Sequence, residues 1–515
     1  MDPRWALGVR RGKTALLIRG AGAMKAKALG VERSQSKIGR IRSALFSHSD
    51  PLRMSDAHPF LVANGPEQVT RLLCASAFLN GKWFSSKVLS FYRERRTAVA
   101  PEFGVNIPLL VRACVRAEEW ENSFQRQYLF VLASGILSVF LRTYISETTG
   151  LIGLGMAWIF STAIAYQHAT QSREIAKNFK RNAFSLPGIA RHLSSDLNED
   201  LSASLPQSNQ NLIIYHEFNP FVGCGLDCGG WSIATCLNKP REHLTADSIS
   251  GFAVAEIYET IEKGLSSLNI KNLSIKSYFF VSGADVRDDN EIYPSWPGRP
   301  NQVISPASAA NYIEGHDSRV RHYKCVQTEE WGGELIISHF IRCAREGEAL
   351  YIEFKRFLLP PLAEQYRRVD TERDTGSTLR FVVSILVGPI FALVSPVIML
   401  GSGKASDDKL CEEMTKDPTF NFGAETTLRS DFSQNAFGHY FQKYDADFFH
   451  KIIERKILDE IVGFLDAHGI DTSDIRDRQT TILNSGILVQ GGDVKAEAIA
   501  VGEGAKAKKV VGPTT

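Results

Sequence analysis

FNPFVGCGLDCGGWS, residues 218–232, places four glycines, two cysteines and a tryptophan in one short window. Three structures use such a composition: a cradle of backbone amides for a phosphate, a pair of thiolate metal ligands, or a tight connection between strands. The connection is the simplest, because glycine reaches positive φ at no steric cost. Gly223, Gly225, Gly229 and Gly230 then supply the bends, while Phe218, Phe221 and Trp231 pack on a core. If a ligand binds, the amides of those four glycines are the candidates. Cys224 and Cys228, followed by Cys236, are the metal candidates by spacing, yet a closed zinc site needs a fourth ligand from afar, such as Cys325 or His322. The expectation is therefore no metal and no other cofactor.

Downstream of this window, strand-like segments rich in β-branched and aromatic residues recur: SIKSYFFVSG, YKCVQT, ELIISHFIRC and ALYIEFKRFLL, with NLIIYHEF just upstream. VAEIYETIEKGLSSL supplies an amphipathic helix among them. One helix among several strands predicts an α+β domain over 205–370 rather than a regularly alternating parallel sheet. WGGEL (331–335) reads as a hairpin turn with Trp331 beside it.

Upstream, two apolar runs stand out, YLFVLASGILSVFLRTYI (128–145) and LIGLGMAWIFSTAIAYQ (151–167). Each is near the minimum length for crossing a hydrocarbon core roughly 30 Å thick, so the pair predicts a transmembrane hairpin over 127–167. Arg142 lies near the end of its run and can extend toward headgroups. A third run, LRFVVSILVGPIFALVSPVIMLGSG, contains Pro389 and Pro396 and predicts a transmembrane or re-entrant segment over 379–401. The basic residues after the hairpin (Arg173, Lys177, Lys180, Arg181, Arg191) contrast with Glu147 alone in its loop. By the positive-inside tendency the large domain is cytoplasmic and the protein is a multi-pass component of the cell inner (plasma) membrane.

The remaining segments complete the division. Residues 1–53 carry 12 Lys/Arg against 3 Asp/Glu and form a basic, disordered leader, one that initiation at Met54 would omit. A small helical domain occupies 55–126, announced by VTRLLCASAFL and IPLLVRACVRAEEW, and a basic juxtamembrane linker occupies 168–204. Residues 405–515 form a helical region with a Gly/Ala-rich β tail, its long helix capped by Asp445 and stopped by Gly469.

Net charge of +2 points to no nucleic-acid partner, and eight scattered cysteines in so long a chain suggest reduced thiols rather than a disulfide framework. No complete catalytic signature occurs. GVRRGKT falls one residue short of a phosphate loop, and HExxH, GxSxG and EF-hand patterns are absent from the sequence. HDSRVRHYKC (316–325) offers His316, His322 and Cys325, which with Asp227 are the catalytic candidates, on condition that the fold brings them together.

RLLCASAFL, the apolar hairpin, FNPFVGCG followed by GGWS, YIEFKRFLLPPLAEQYRRVD, HYFQKYD and RQTTILNSG together resemble a group of uncharacterised bacterial multi-pass membrane proteins with a cytoplasmic α+β domain. The likeness covers most of the chain after about residue 55. It implies an integral membrane protein with this domain order and brings no activity, substrate or catalytic residue. The sequence thus favours a non-enzymatic, membrane-anchored binding, sensing or assembly component whose partners are the lipid bilayer and another protein or a second copy. A membrane-tethered hydrolase with a site within 216–325, and a membrane-perturbing effector, are the alternatives.

Overall fold

The computed structural model describes residues 67–371, 414, 416–417 and 419–484, apart from 94–95, 145, 182–183, 185–188, 190–192, 194–196, 198, 242–244, 246–248, 295–297 and 315–318. The basic leader, the run 379–401 and the Gly/Ala-rich tail from residue 485 lie outside the described residues, so the effector alternative, which needs that run, is not addressed by them.

In chain order the elements are α1 (Glu67–Leu79), α2 (Lys82–Arg93), α3 (Ile107–Tyr144), α4 (Glu147–Asn178), α5 (Glu199–Ala203), β1 (Leu212–Tyr215), β2 (Leu226–Cys236), α6 (Val254–Ser266), β3 (Leu273–Ser282), α7 (Pro306–Glu314), β4 (Val320–Glu330), β5 (Leu335–Glu346), β6 (Ala349–Leu359), α8 (Arg368–Thr371), α9 (Leu428–Asp431), α10 (Tyr440–Ala467) and α11 (Ser473–Asn484). The strands form one six-stranded sheet in the order β1-β3-β4-β5-β6-β2. β1 runs parallel to β3 and every other pair is antiparallel. A mixed sheet with its helices makes this an α+β domain.

Side chains alternate across the sheet, and its two faces meet different partners. On one face Ile233, Val326, Ile341, Ile352 and Phe354 pack against Ile257 and Ile261 of α6 and against Ile453, Ile457 and Leu465 of α10. On the other, Phe280, Tyr323, Phe340 and Phe357 gather around Phe221. A second core is helical: α1, α2 and the first half of α3 bury Leu72, Phe84, Val88 and Leu110 together with Leu362, Tyr366, Leu428 and Phe432 from segments that follow the sheet.

α3 is continuous for 38 residues, about 57 Å at 1.5 Å per residue, so the helix that begins in the helical core is the one that carries the apolar run. Pro108 falls in its first turn, where the missing N–H costs nothing. α4 returns over 32 residues. Near the base of the hairpin, Trp120 Nε1 donates to Gln171 Oε1 at 3.1 Å and the Trp120 and His168 rings stack at 4.4 Å. Toward the tip, glycines let the helices touch: a Cβ on Gly150 would stand 2.1 Å from Arg142 Cβ, and one on Gly153 would stand 2.3 Å from Ser138 Oγ. Outward from this seam, Phe130, Ile136, Leu137 and Phe140 of α3 and Ile152, Met156, Trp158 and Ile159 of α4 are exposed. Both helices are long and apolar enough to cross a membrane.

The window 218–232 differs from the plain connection its composition suggests. From Leu226 onward it is already strand, β2, paired with β6. A bulge lies between Asp227 and Gly230, so Cys228 and Gly229 together oppose a single residue, Arg356. Gly223, Gly225 and Gly229 do take positive φ, whereas Gly230 is not among the positive-φ residues. Phe221 is buried as expected, but Phe218 is fully exposed. The long C-terminal helix also starts earlier than its Asp445 cap would place it: His439 is the N-cap, and Asp445 instead accepts from Trp331 Nε1 at 2.8 Å. Gly469 follows the helix with φ of 78°, as a stop requires.

Candidate functional site

β4 separates two of the catalytic candidates. His322 and Cys325 are three residues apart on one strand, and an odd separation puts their side chains on opposite faces. His322 lies among Tyr258 of α6 and Phe279, ring centroids 4.8 and 5.1 Å away. Burial, helped by Lys324 and Arg342, holds its imidazole down to about 3. Cys325 belongs to the cluster around Phe221, where burial pushes the thiol far above its usual range, away from nucleophilic thiolate. Asp227 sits at the bulge, and its Oδ1 accepts from Gly229 N at 2.7 Å, a local turn. His316 lies outside the described residues.

The thiols of the window are likewise dispersed. Cys224 is buried, Cys228 half-buried and Cys236 exposed. Cys228 and Cys236 are eight residues apart on β2, about 25 Å along an extended strand, beyond sharing one ion. Among the described residues no group of three or more His, Cys, Asp or Glu side chains is gathered as a metal ion requires. Two of the glycines are there because the backbone passes close to a neighbour: a Cβ on Gly223 would meet Thr427 Cγ2 at 2.4 Å, and one on Gly225 would meet Leu358 O at 2.3 Å, whereas Gly229 has nothing nearer than Arg356 Nη2 at 3.6 Å.

The polar constellation that the fold does assemble lies one step further along, where Trp231, His339 and Arg356 of the sheet face His450 and Glu454 of α10. The two α10 residues are four apart and so share one helix face. Trp231 Nε1 donates to Glu454 Oε1 at 2.8 Å, and Arg356 Nη1 stands 3.4 Å from Glu454 Oε2. His450 Nδ1 and His339 Nε2 are 2.9 Å apart, sharing one N–H between two imidazoles. Phe354 stacks on Trp231 at 5.2 Å and on His339 at 5.6 Å. Sequence reading picked out Trp231 alone, as a residue packed on the core, and missed the other four, although one signal was present: His450 and Glu454 interrupt the apolar stripe of Ile453, Ile457 and Ile461 on the buried side of α10.

His339, His450 and Glu454 are almost completely buried. A buried pair of neutral imidazoles clamps α10 to the sheet. Burial and the neighbouring Arg356 hold His450 down to about 3, and burial with the adjacent His450 holds His339 well below its usual value. The consequence for pH runs in one direction. Both groups are depressed on folding, so as pH falls below about 6.5 the unfolded chain takes up protons that the folded chain refuses, and stability is lost toward acid. Between pH 7 and pH 5 one such histidine costs about 2 kcal/mol. His450→Gln, which keeps a polar partner for His339, should therefore gain about that much relative to the parent over the same interval, measured by urea unfolding at both pH values. The difference cancels the opposing uptake by Glu102, which burial raises to about 7 in both chains; an offset unchanged between the two pH values would remove the clamp from this account.

Fold and site together define a class: an α+β domain closed on one face by a long helix through a buried His–His and Arg–Glu–Trp lock, joined to a helical core that extends into a long apolar hairpin. The chain belongs to the AbeC-like domain family, whose model matches residues 230–495. That match begins at Gly230, just after the bulge, and includes every member of the lock. Neither the curated proteins nor the solved structures contain a match to the chain.

Proposed function

We propose that this protein is a membrane-anchored, non-catalytic binding or assembly component, its hairpin α3–α4 inserted in the plasma membrane and its α+β domain held at the cytoplasmic face. The single observation that carries this reading is the exposed apolar surface confined to one end of the hairpin, facing away from the helix–helix seam. Water around that surface costs about 25 cal/mol per Å² of apolar area, and a bilayer relieves the cost. The tip holds Glu147, the first residue of α4, whereas the base leads into Arg173, Lys177, Lys180 and Arg181, the asymmetry that keeps the base on the cytoplasmic side. The Arg142–Glu147 pair, 3.8 Å apart at the tip, fits the headgroup level. Binding is favoured over chemistry because β4 holds His322 and Cys325 on opposite faces and because both imidazoles of the assembled polar group are buried.

Labelling of single cysteines with a membrane-impermeant maleimide in sealed right-side-out vesicles tests both insertion and orientation. In a background with Cys228, Cys236 and Cys411 replaced by serine, which leaves only buried thiols, Thr148→Cys should react at once and Lys355→Cys only after lysis. Equal reaction of the two before lysis, or protection of Thr148→Cys, would refute the topology.

A further inference from the structure

The first turns of α10 carry an aromatic face that nothing among the described residues covers. Tyr440, Phe441, Tyr444 and Phe448 are between 51 and 70 % exposed, and Trp331, stacked on His439 at 5.4 Å, extends the patch. At 100° per residue, Tyr440, Tyr444, Phe448 and Phe441 fall within an arc of about 100° on the helix surface. The opposite side of the same turns is anchored, through Gln442, Ala446 and His450, all buried, so the exposed aromatics belong to a rigid helix.

The protein's own bilayer does not reach this patch. Trp331 lies beside α1 at its N-terminal end: a Cβ on the adjoining Gly332 would stand 2.7 Å from Gln68 Cβ. That level is also where α3 begins, since Asn106 N donates to Thr70 Oγ1 at 3.0 Å. The exposed apolar band of α3 starts at Leu129, 23 residues later, about 35 Å along the helix axis. The aromatic face is thus at the end remote from the membrane hairpin.

We infer that this face is a dimer interface, on which a second copy of the chain packs its own α10 antiparallel about a two-fold axis at Tyr444. Two observations favour a second copy over an unrelated partner. The first is the pattern of the segment itself: a two-fold at Tyr444 sets Tyr444 against its own mate and Tyr440 level with the partner's Phe448. An isologous contact needs this self-complementarity. The second is area. Aromatic side chains bury about 150–250 Å² each, so five of them at these exposures offer about 500–600 Å² per copy, and two copies reach about 1,000–1,200 Å², the lower limit for a specific interface.

The test uses the full chain in mild detergent, with light scattering to count chains per particle and oxidative cross-linking to read the register. Two chains per particle are expected, with at least a tenfold weaker association in the double variant Tyr440→Ser, Phe448→Ser. Tyr444→Cys should give a covalent dimer on oxidation, whereas Arg455→Cys, 11 residues from the axis and so about 33 Å from its own mate, should not. A monomer without a Tyr444→Cys cross-link overturns the inference. So does a dimer that survives the double variant and leaves Tyr444→Cys unlinked, which would place association on another surface, and so does an intrachain link from Tyr444→Cys to a cysteine within 372–413. None of these readouts depends on whether the hairpin inserts.

Discussion

Arg429→Met is expected to destabilise the folded chain by about 3–5 kcal/mol, the usual result of breaking a buried charge and its partners. Arg429 is fully buried in α9, a region where the sequence gives no sign of a core position. Its Nη2 donates to the carbonyls of Gly333, Glu334 and Pro360 at 3.3, 3.0 and 2.9 Å, and its Nη1 to Ser433 Oγ. Those carbonyls come from the β4–β5 turn and from the exit of β6, so one guanidinium ties α9 to two corners of the sheet. From the other side, Glu102 accepts from Leu428 N at 2.7 Å and from Arg429 N at 3.0 Å, which attaches the loop before α3 to the same point. Methionine fills the volume and leaves three buried carbonyls without donors, each costing about 1–3 kcal/mol. Arg429→Lys should recover only part of the loss, because an ammonium cannot reproduce the planar fork. Urea unfolding followed by tryptophan fluorescence measures both; a methionine variant within about 0.5 kcal/mol of the parent would show that the junction is held by its apolar contacts alone.

Gly230→Ala should cost about 3 kcal/mol or more, and Gly229→Ala distinctly less. At Gly230 a Cβ would stand 2.0 Å from Phe354 O, a backbone atom in the paired strand, so relief requires β2 and β6 to separate. At Gly229 the nearest atom is Arg356 Nη2 at 3.6 Å, and the cost is that of alanine at φ of 82°, about 1 kcal/mol. Separation of β2 would also draw Trp231 from Glu454 and so loosen α10. Limited proteolysis should therefore cut the Gly230→Ala chain within β2 or α10 while the hairpin stays with the membrane. Equal tolerance of the two alanines would mean that the bulge is not held as described.

What was legible in the sequence and what was not follows from the physics of each segment. Segments β3 to β6 announce themselves because Tyr278–Val281, Ile336–Ile341 and Ile352–Leu359 are dense in β-branched and aromatic residues, and α6 because its apolar residues recur at helical spacing. β2 is hidden, since the bulge at Cys228 and Gly229 breaks its alternation and its glycines read as a turn. α7 (PASAANYIE) is hidden because small and polar residues give little periodicity. Nor could residue types reveal the lock or the Arg429 junction: charged and imidazole side chains default to the surface in any reading by composition, and here long-range contacts bring Glu454 to Trp231 across 223 positions. Strand parity separates His322 from Cys325 only when the strand extends back through His322, and YKCVQT begins one residue after it.

Insertion of the hairpin is the claim on which the functional reading rests, and extraction of membranes with alkaline carbonate tests it most directly. The intact chain should remain with the sedimented bilayer, and a chain lacking 129–166 should appear in the supernatant. Release of the intact chain into the supernatant would contradict insertion and make the exposed face of α3 and α4 a protein-binding surface instead.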